Sequence, residues 1–326
     1  MARDLERMAS TLRRYLAGGE RLLRVIPLST GHSNETYLLE GIERILRMPP
    51  SEEGLLPPYD MARQHAVLAA MAAAPEGPPV PRVYELCTDP AVLGDPFFVM
   101  ERLPGEAFEY TVPDWLAAAP PEVRSGMCAQ WIGAVTAVHR IAVERMPAPA
   151  TTVVEEARHW RDVAQEAEAP APLLELLDDL VRRPPPPSGP STPVHGDPKH
   201  GNCLWQRERL LVLLDWEMAH VGEPLTDLGY VCQFYDQGEA ALASAGFELP
   251  GWWPREKTIA VWEERTGRIA RDVRRYEVLG MSKIAAIIAL GHHLWKVGRA
   301  RDVRFEAWGA VIPKYLDLAL RRASLA

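Results

Sequence analysis

The stretch His195-Gly196-Asp197-Pro198-Lys199-His200-Gly201-Asn202, with Leu213-Leu214-Asp215-Trp216-Glu217 shortly after it, decides how this chain is read. Each segment is an apolar run that ends in polar residues: Pro193-Val194 leads into the first, and Leu210 to Leu214 into Asp215. Between them Cys203-Leu204-Trp205 has the composition of a short strand, so the spacing predicts a β-hairpin with its two polar ends side by side. Such a hairpin gathers Asp197, Lys199, Asn202 and Asp215, which supply two carboxylates, an amide oxygen and an ammonium. A few hard oxygen ligands are what Mg2+ accepts when phosphate oxygens and water complete its octahedron. A carboxylate left free of the metal can orient and deprotonate an attacking hydroxyl.

Working outward, the first hundred residues alternate strands with turns. Val25–Leu28 and Thr36–Leu39 flank the turn Ser29-Thr30-Gly31-His32-Ser33-Asn34, and Arg44–Met48 reads as a third strand. The spacing of Met61, His65, Leu68 and Met71 predicts a helix over 59–73, and two more strands follow at Arg82–Leu86 and Pro96–Met100. A helical spacing also marks 5–16. From Pro120 onward the pattern is mostly helical, with one helix over 123–141 and two within 153–181, broken near Pro170 and Pro172. The proline run from Pro184 to Pro190 cannot be helix and reads as a stiff surface connection. The expected fold class is α+β and bilobal. Residues 1–104 would form a small lobe, a five-stranded antiparallel sheet with one helix, and 105–326 a larger, mostly helical lobe.

Totals set outer bounds. The 326 residues, 47% apolar and 25% charged, describe an ordinary globular protein longer than one typical core. No uninterrupted apolar run is long enough to span a bilayer, so no membrane partner is expected. The most apolar tract, Ile284 to Leu290, is bounded by Lys283 and the His292-His293 pair and reads as a buried helix. The charged start from Met1 to Arg7 lacks the apolar stretch of an export signal. Four scattered cysteines argue against a disulfide framework or a zinc site, and a cytoplasmic location is expected. A net charge of −8 makes nucleic acid an unexpected partner. A monomer or homodimer is the expected form.

The segment from His195 resembles the aminoglycoside phosphotransferase family, a branch of the protein-kinase-like fold whose catalytic loop reads H-x-D-x-x-x-x-N. His195, Asp197 and Asn202 fill those positions in register, and Asp215-Trp216-Glu217 is similar to the family's I-D-W-E segment. The resemblance implies transfer of the γ-phosphate of ATP to a hydroxyl of a small molecule. It makes Asp197 the catalytic base, has Asn202 and Asp215 hold Mg2+, and places Lys199 where kinases keep a lysine facing the γ-phosphate. His195 would be structural, bonding backbone or Asp215. Gly222 to Leu228 is similar to the next motif, whose Asp227 would brace the catalytic loop through backbone hydrogen bonds. Leu28 to Tyr37 resembles the nucleotide loop, with Ser33 and Asn34 at its end, where backbone N–H groups can cover phosphates. Arg47 stands in the strand that carries a lysine in kinases. Asp95 to Gly105 is similar to the segment between lobes; its register has the backbone of Glu101 and Leu103 bond adenine, with Met100 behind. The resemblance spans about the whole chain in motif order.

One departure stands out. The helix facing Arg47 normally supplies a glutamate, but the matching run Arg63-Gln64-His65-Ala66-Val67-Leu68 puts Gln64 there. A neutral amide can accept one hydrogen bond from a guanidinium without neutralising it, and kinases want that ion pair in place. Weak ATP binding, another partner for Arg47, or a nucleotide-binding pseudokinase all stay open. A metal-dependent hydrolase would need more histidine ligands and no adenine hinge. His139 reads as a core histidine, and adjacent His292 and His293 point about 100° apart on a helix, too divergent to share an ion. Either could line the acceptor site, while Trp252, Trp253 and Trp295 read as packing residues. The arginines Arg268, Arg271, Arg274, Arg275, Arg299, Arg301 and Arg304 tilt the acceptor toward a neutral or anionic molecule, since polycations need acidic sites. Asp89 to Phe97 looks like the branch that includes kinase domains fused to acyl-CoA dehydrogenases. That resemblance implies a hydroxyacyl or CoA-linked acceptor, with an aminoglycoside as the alternative.

Overall fold

The computed structural model describes residues 3–28, 33–52, 54–109, 111–235 and 247–326. Ser29 to His32, part of the expected nucleotide loop, lie outside the described residues. The chain opens with α1 (Leu5–Tyr15), whose start is capped by the Asp4 carboxylate accepting the Arg7 N–H at 3.0 Å. Next come β1 (Arg24–Leu28), β2 (Glu35–Glu40), β3 (Arg44–Met48), α2 (Met61–Ala73), β4 (Val83–Cys87), the one-turn α3 (Pro90–Leu93) and β5 (Phe97–Glu101). The five strands form one antiparallel sheet in the order β1-β2-β3-β5-β4. Its register sets Tyr37 opposite Leu46 and Ile45 opposite Met100.

Side chains alternate across such a sheet, so each face needs its own cover. Tyr37, Leu39, Leu46, Met48, Phe97 and Val99 pack against Met8, Leu12 and Leu16 of the N-terminal segment. Ile45, Phe98 and Met100 face the other way, toward Val67, Leu68 and Met71 of α2. Each fully buried side chain of this size contributes roughly 1.5–3 kcal/mol. The sheet therefore has a helix on both faces, one more than the single helix expected against it. Arg47 lies two residues beyond Ile45 on β3 and so shares the α2 face, toward the rest of the chain.

Beyond β5 run α4 (Asp114–Ala117), α5 (Pro121–His139), α6 (Val153–Glu166) and α7 (Ala171–Arg182). Thr152 and Glu155 close α6 with a reciprocal capping box, and a break at Pro170 separates it from α7. The proline run follows as coil. Then β6 (Thr192–Val194) pairs with β9 (His220–Gly222), and β7 (Cys203–Gln206) with β8 (Arg209–Leu213). Last come α8 (Leu225–Cys232), α9 (Arg255–Thr266), α10 (Val273–Lys296), α11 (Arg304–Trp308) and α12 (Ile312–Ala323).

α10 is the axis of this helical part. By length and composition alone it could cross a bilayer, which the shorter apolar run from Ile284 did not foretell, yet 67% of its most apolar window is buried inside the protein. Lys283, read from sequence as a boundary of that run, sits within the helix and is buried. So is Glu277, whose carboxylate bonds Arg255 of α9 and Arg322 of α12, tying three helices by one charge. Between β3 and α2 the chain crosses to these helices: Leu55, 1% exposed, joins a cluster with Leu290, Leu294 and Phe305.

Candidate active site

The β7–β8 hairpin brings the two polar loops together as the sequence predicts, with Cys203 opposite Leu213 and the Leu214 N–H donating to the Asn202 carbonyl at 2.7 Å. Below them Asp227, fully buried in the first turn of α8, accepts the N–H groups of His195 and Gly196, each at 2.8 Å. It also accepts from His139 Nε2 at 3.0 Å. The donor is fixed by the next bond: Trp262 Nε1, which can only donate, meets His139 Nδ1 at 3.1 Å, so the ring proton is on Nε2. Burial raises the Asp227 carboxyl, but the His139 hydrogen bond, the two imidazoles and the His195 N–H outweigh it and pull it down to about 2.

His195 is held the same way. Its Nδ1 accepts the Asp197 N–H at 3.1 Å, which leaves Nε2 to donate to the Leu214 carbonyl at 2.9 Å, across to the second loop. Burial keeps the ring neutral by lowering its pKa. Gly196 bends between these two residues at φ +85°, and a Cβ there would lie 2.5 Å from the Met218 carbonyl oxygen, so only glycine fits.

Asn202 donates from Nδ2 to the Asp197 backbone oxygen and to Asp197 Oδ2, both at 2.9 Å. With the amide nitrogen so engaged, the Asn202 oxygen is the group left to face a cation. The other Asp197 oxygen, Oδ1, is buried. The Tyr230 hydroxyl faces the same carboxylate; burial first, and then the Asp197 charge and hydrogen bond, push its pKa far up.

Asp215 has a left-handed backbone, φ 68° and ψ 64°, a conformation non-glycine residues hold only under constraint. Its carboxylate is paired with Arg47, whose guanidinium also lies 3.8 Å from Glu217. Arg47 thus has carboxylate partners from the hairpin, the second of the openings left by Gln64, which is itself buried on α2. Burial pushes the Asp215 carboxyl up, but Arg47 and then Lys199 bring it below its ordinary value. Glu217 goes the other way, to about 8, through burial and then the Asp215 charge, with Arg47 and Ser33 opposing. Its Oε2 accepts from Asn34 Nδ2 at 2.5 Å, and the Ser33 hydroxyl donates to the Leu55 carbonyl at 2.9 Å. Lys199 pairs with Glu109 at 3.2 Å.

At the segment after β5, Met100 is buried against α2. The Glu101 N–H donates to the Arg82 carbonyl at 2.8 Å, and the Leu103 carbonyl accepts from Gly105 at 3.0 Å. Those two groups are committed within the chain, so an adenine ring here would have to use the Glu101 carbonyl and the Leu103 N–H.

The residues fit a divalent cation brought in by phosphate. Asp197 keeps a buried oxygen that Asn202 does not engage, and burial, followed by the nearby Asp215 and Asp197 charges, raises Glu217, so a cation would be favoured there. Among the described residues no group of three or more His, Cys, Asp or Glu side chains is placed to hold a metal unaided. Phosphate and water would have to complete the shell.

His139 is buried, as the sequence reading of a core histidine has it, but its bond to Asp227 was not foreseen. Sequence reasoning missed Trp262, Glu109 and Tyr230, which come from distant helices or turns with no local spacing to mark them. His292 and His293 have separate partners, the Phe305 carbonyl at 3.2 Å and Glu168 at 3.9 Å. Trp252 packs on Phe247 and His200, and Trp253 donates to Ser125 at 2.8 Å.

Comparison with known proteins places this geometry. The chain is 27% identical over 223 residues to mouse acyl-CoA dehydrogenase family member 10, covering 65% of this chain and 20% of that protein. It is 30% identical over 226 residues to chicken acyl-CoA dehydrogenase family member 11, covering 65% of this chain and 28% of that one. The chain therefore spans under a third of the length of either relative. Among solved structures, a Ralstonia eutropha protein assigned as an aminoglycoside phosphotransferase superposes with a TM-score of 0.77 at 22% identity, over 98% of both chains. An aminoglycoside phosphotransferase solved with GDP and kanamycin gives 0.60 at 15% identity, over 97% of both. These structures share the kinase-like fold. The sequence pattern of one family runs from residue 24 to 262, taking in the strand of Arg47, the loop from His195 to Asn202 and Asp215 alike, and by that match the chain belongs to the phosphotransferase enzyme family.

Proposed function

We propose that the chain moves the γ-phosphate of ATP, with Mg2+, to a hydroxyl of a small molecule. The observation that carries this reading is Asp197: a carboxylate oriented by Asn202 through one oxygen, with its other oxygen buried near the Tyr230 hydroxyl. That second oxygen can accept the proton of an attacking alcohol. Asn202 and Asp215 would hold the Mg2+, which when bound neutralises charge on the phosphates. Lys199 adds positive charge to the same face, and Arg47 balances Asp215. Asp227, through the His195 and Gly196 N–H groups, keeps Asp197 aimed.

For the acceptor, we favour a hydroxyacyl group in thioester linkage. Support comes from the relatives, which carry the names of acyl-CoA dehydrogenases. The arginine excess supports it less than the sequence implied. Arg268 is spent on the Pro190 carbonyl, Arg275 on Asp179 and Arg304 on Asp302, leaving Arg301, 80% exposed and 3.6 Å from Glu52, among those that could meet an anion. The four cysteines are buried and none is in a disulfide, which suits the reducing cytoplasm we propose as the location.

The test is an ADP-release screen with MgATP across aminoglycosides, sugars, choline-like alcohols and hydroxyacyl-CoA thioesters, run on wild type and Asp197→Asn. Turnover on hydroxyacyl thioesters, abolished in the variant with ATP affinity within a few-fold, is the expected result. Equal turnover in the variant would remove Asp197 as base. Turnover on aminoglycosides alone would replace the acceptor, and tight nucleotide binding with no transfer to any acceptor would make the chain a pseudokinase.

A further inference from the structure

Lys283 is a charged side chain in the middle of α10 with 3% of its surface exposed. Burying an ammonium is costly unless every proton finds a partner. Its Nζ donates to the Gly196 carbonyl, lies 3.6 Å from Glu156 Oε1 of α6, and sits 5.3 Å from the ring centres of both Trp160 and Tyr230. One N–H goes to the carbonyl, while the nearby carboxylate and the two aromatic faces offset the charge of the ammonium. At 3% exposure, Lys283 is enclosed by the protein and not presented to a phosphate or an anionic acceptor.

What it holds is the peptide plane just before the catalytic aspartate. The Gly196 carbonyl and the Asp197 N–H belong to one peptide group; Lys283 takes the oxygen and His195 Nδ1 takes the N–H at 3.1 Å. One bond further back, Asp227 takes the Gly196 N–H at 2.8 Å. The bend at Gly196 is thus gripped by an anion on α8 and a cation on α10, two helices packed on each other. A peptide plane pinned at both its oxygen and its nitrogen cannot rotate, and its angle sets where the Asp197 carboxylate points.

We propose that Lys283 is a positioning residue for Asp197, acting through the Gly196 carbonyl and not by contact with any ligand. This rests on the phosphotransfer reading above for its effect on turnover, whereas its effect on the loop does not. In Lys283→Met, release of ADP from MgATP with water as acceptor should fall about 100-fold, the loss expected when a reacting group is misplaced by about an ångström. The KM for ATP should stay within about twofold, because nothing that Lys283 touches binds nucleotide. Hydrogen exchange should quicken in a peptide spanning 195–202 while a peptide spanning the β4–β5 hairpin, 83–101, stays as in wild type.

Because Lys283→Met alone leaves Glu156 buried without its cation, the double variant Lys283→Met/Glu156→Gln is measured beside it. The same loss of turnover and the same local exchange in both supports the clamp. Unchanged exchange at 195–202 overturns it, and so does faster exchange across the whole chain in both variants, which marks a merely structural lysine. If wild type releases no ADP from MgATP with water or with any acceptor of the screen above, the phosphotransfer reading falls, and the exchange comparison still decides the clamp.

Discussion

Replacing Asp227 by asparagine keeps the shape of the side chain and removes one acceptor from a fully buried site. The carboxylate receives three hydrogen bonds: the Gly196 N–H on Oδ1, and the His195 N–H and His139 Nε2–H on Oδ2. If the amide oxygen takes the Oδ2 position, the Gly196 N–H faces an NH2 group and is orphaned. An unsatisfied buried donor costs about 1–3 kcal/mol. A second route gives a similar size. The carboxyl lies at about 2 against an ordinary 3.8, and a difference of that order corresponds to about 2 kcal/mol of preference for the charged form. The sign follows from the direction of the shift. A lowered carboxyl stabilises the fold fully above its unfolded value and loses that contribution as pH falls through its folded value. Urea unfolding followed by tryptophan fluorescence should therefore show Asp227→Asn less stable than wild type by about 2–3 kcal/mol at neutral pH. The gap should hold down to about pH 5 and close between about pH 4 and pH 2. A variant within about 0.5 kcal/mol of wild type at neutral pH, or a gap that widens on acidification, would refute the bracing role.

Three further outcomes are expected. Asp215→Ala should abolish the Mg2+ dependence of nucleotide binding measured by titration calorimetry; retained dependence would place the metal on other residues. Gln64→Glu should leave ATP affinity unchanged or raise it, by giving Arg47 a carboxylate on α2, and a large loss would show that Gln64 has a role of its own. Glu277→Gln should destabilise the chain by about 3–5 kcal/mol in urea unfolding, because it leaves two buried guanidiniums without their shared anion. A loss below about 1 kcal/mol would show that water reaches that triad.

The hairpin that gathers the candidate site was readable because its parts are neighbours in the chain. Asn202 and Asp215 are brought together by the pairing of two adjacent strands, and short apolar runs bounded by polar turns announce strands directly. The sheet was readable for the same reason, and α1 too as a helix, though not the face it would cover. What could not be read rests on contacts between remote segments. Arg47 meets Asp215 across 168 residues of sequence, and His139 meets Asp227 across 88. Lys283 misled for a related reason. Local hydropathy treats a lysine as the end of an apolar run, while the folded helix continues through it because Glu156 and Gly196, far off in sequence, supply its partners.

The Leu55 carbonyl grips Ser33 while its side chain is rooted between α10 and α11. The rim of the β1–β2 hairpin and the far helices are consequently linked through Leu55. A lesion as remote as Phe305, in the same apolar cluster, would be felt at Ser33.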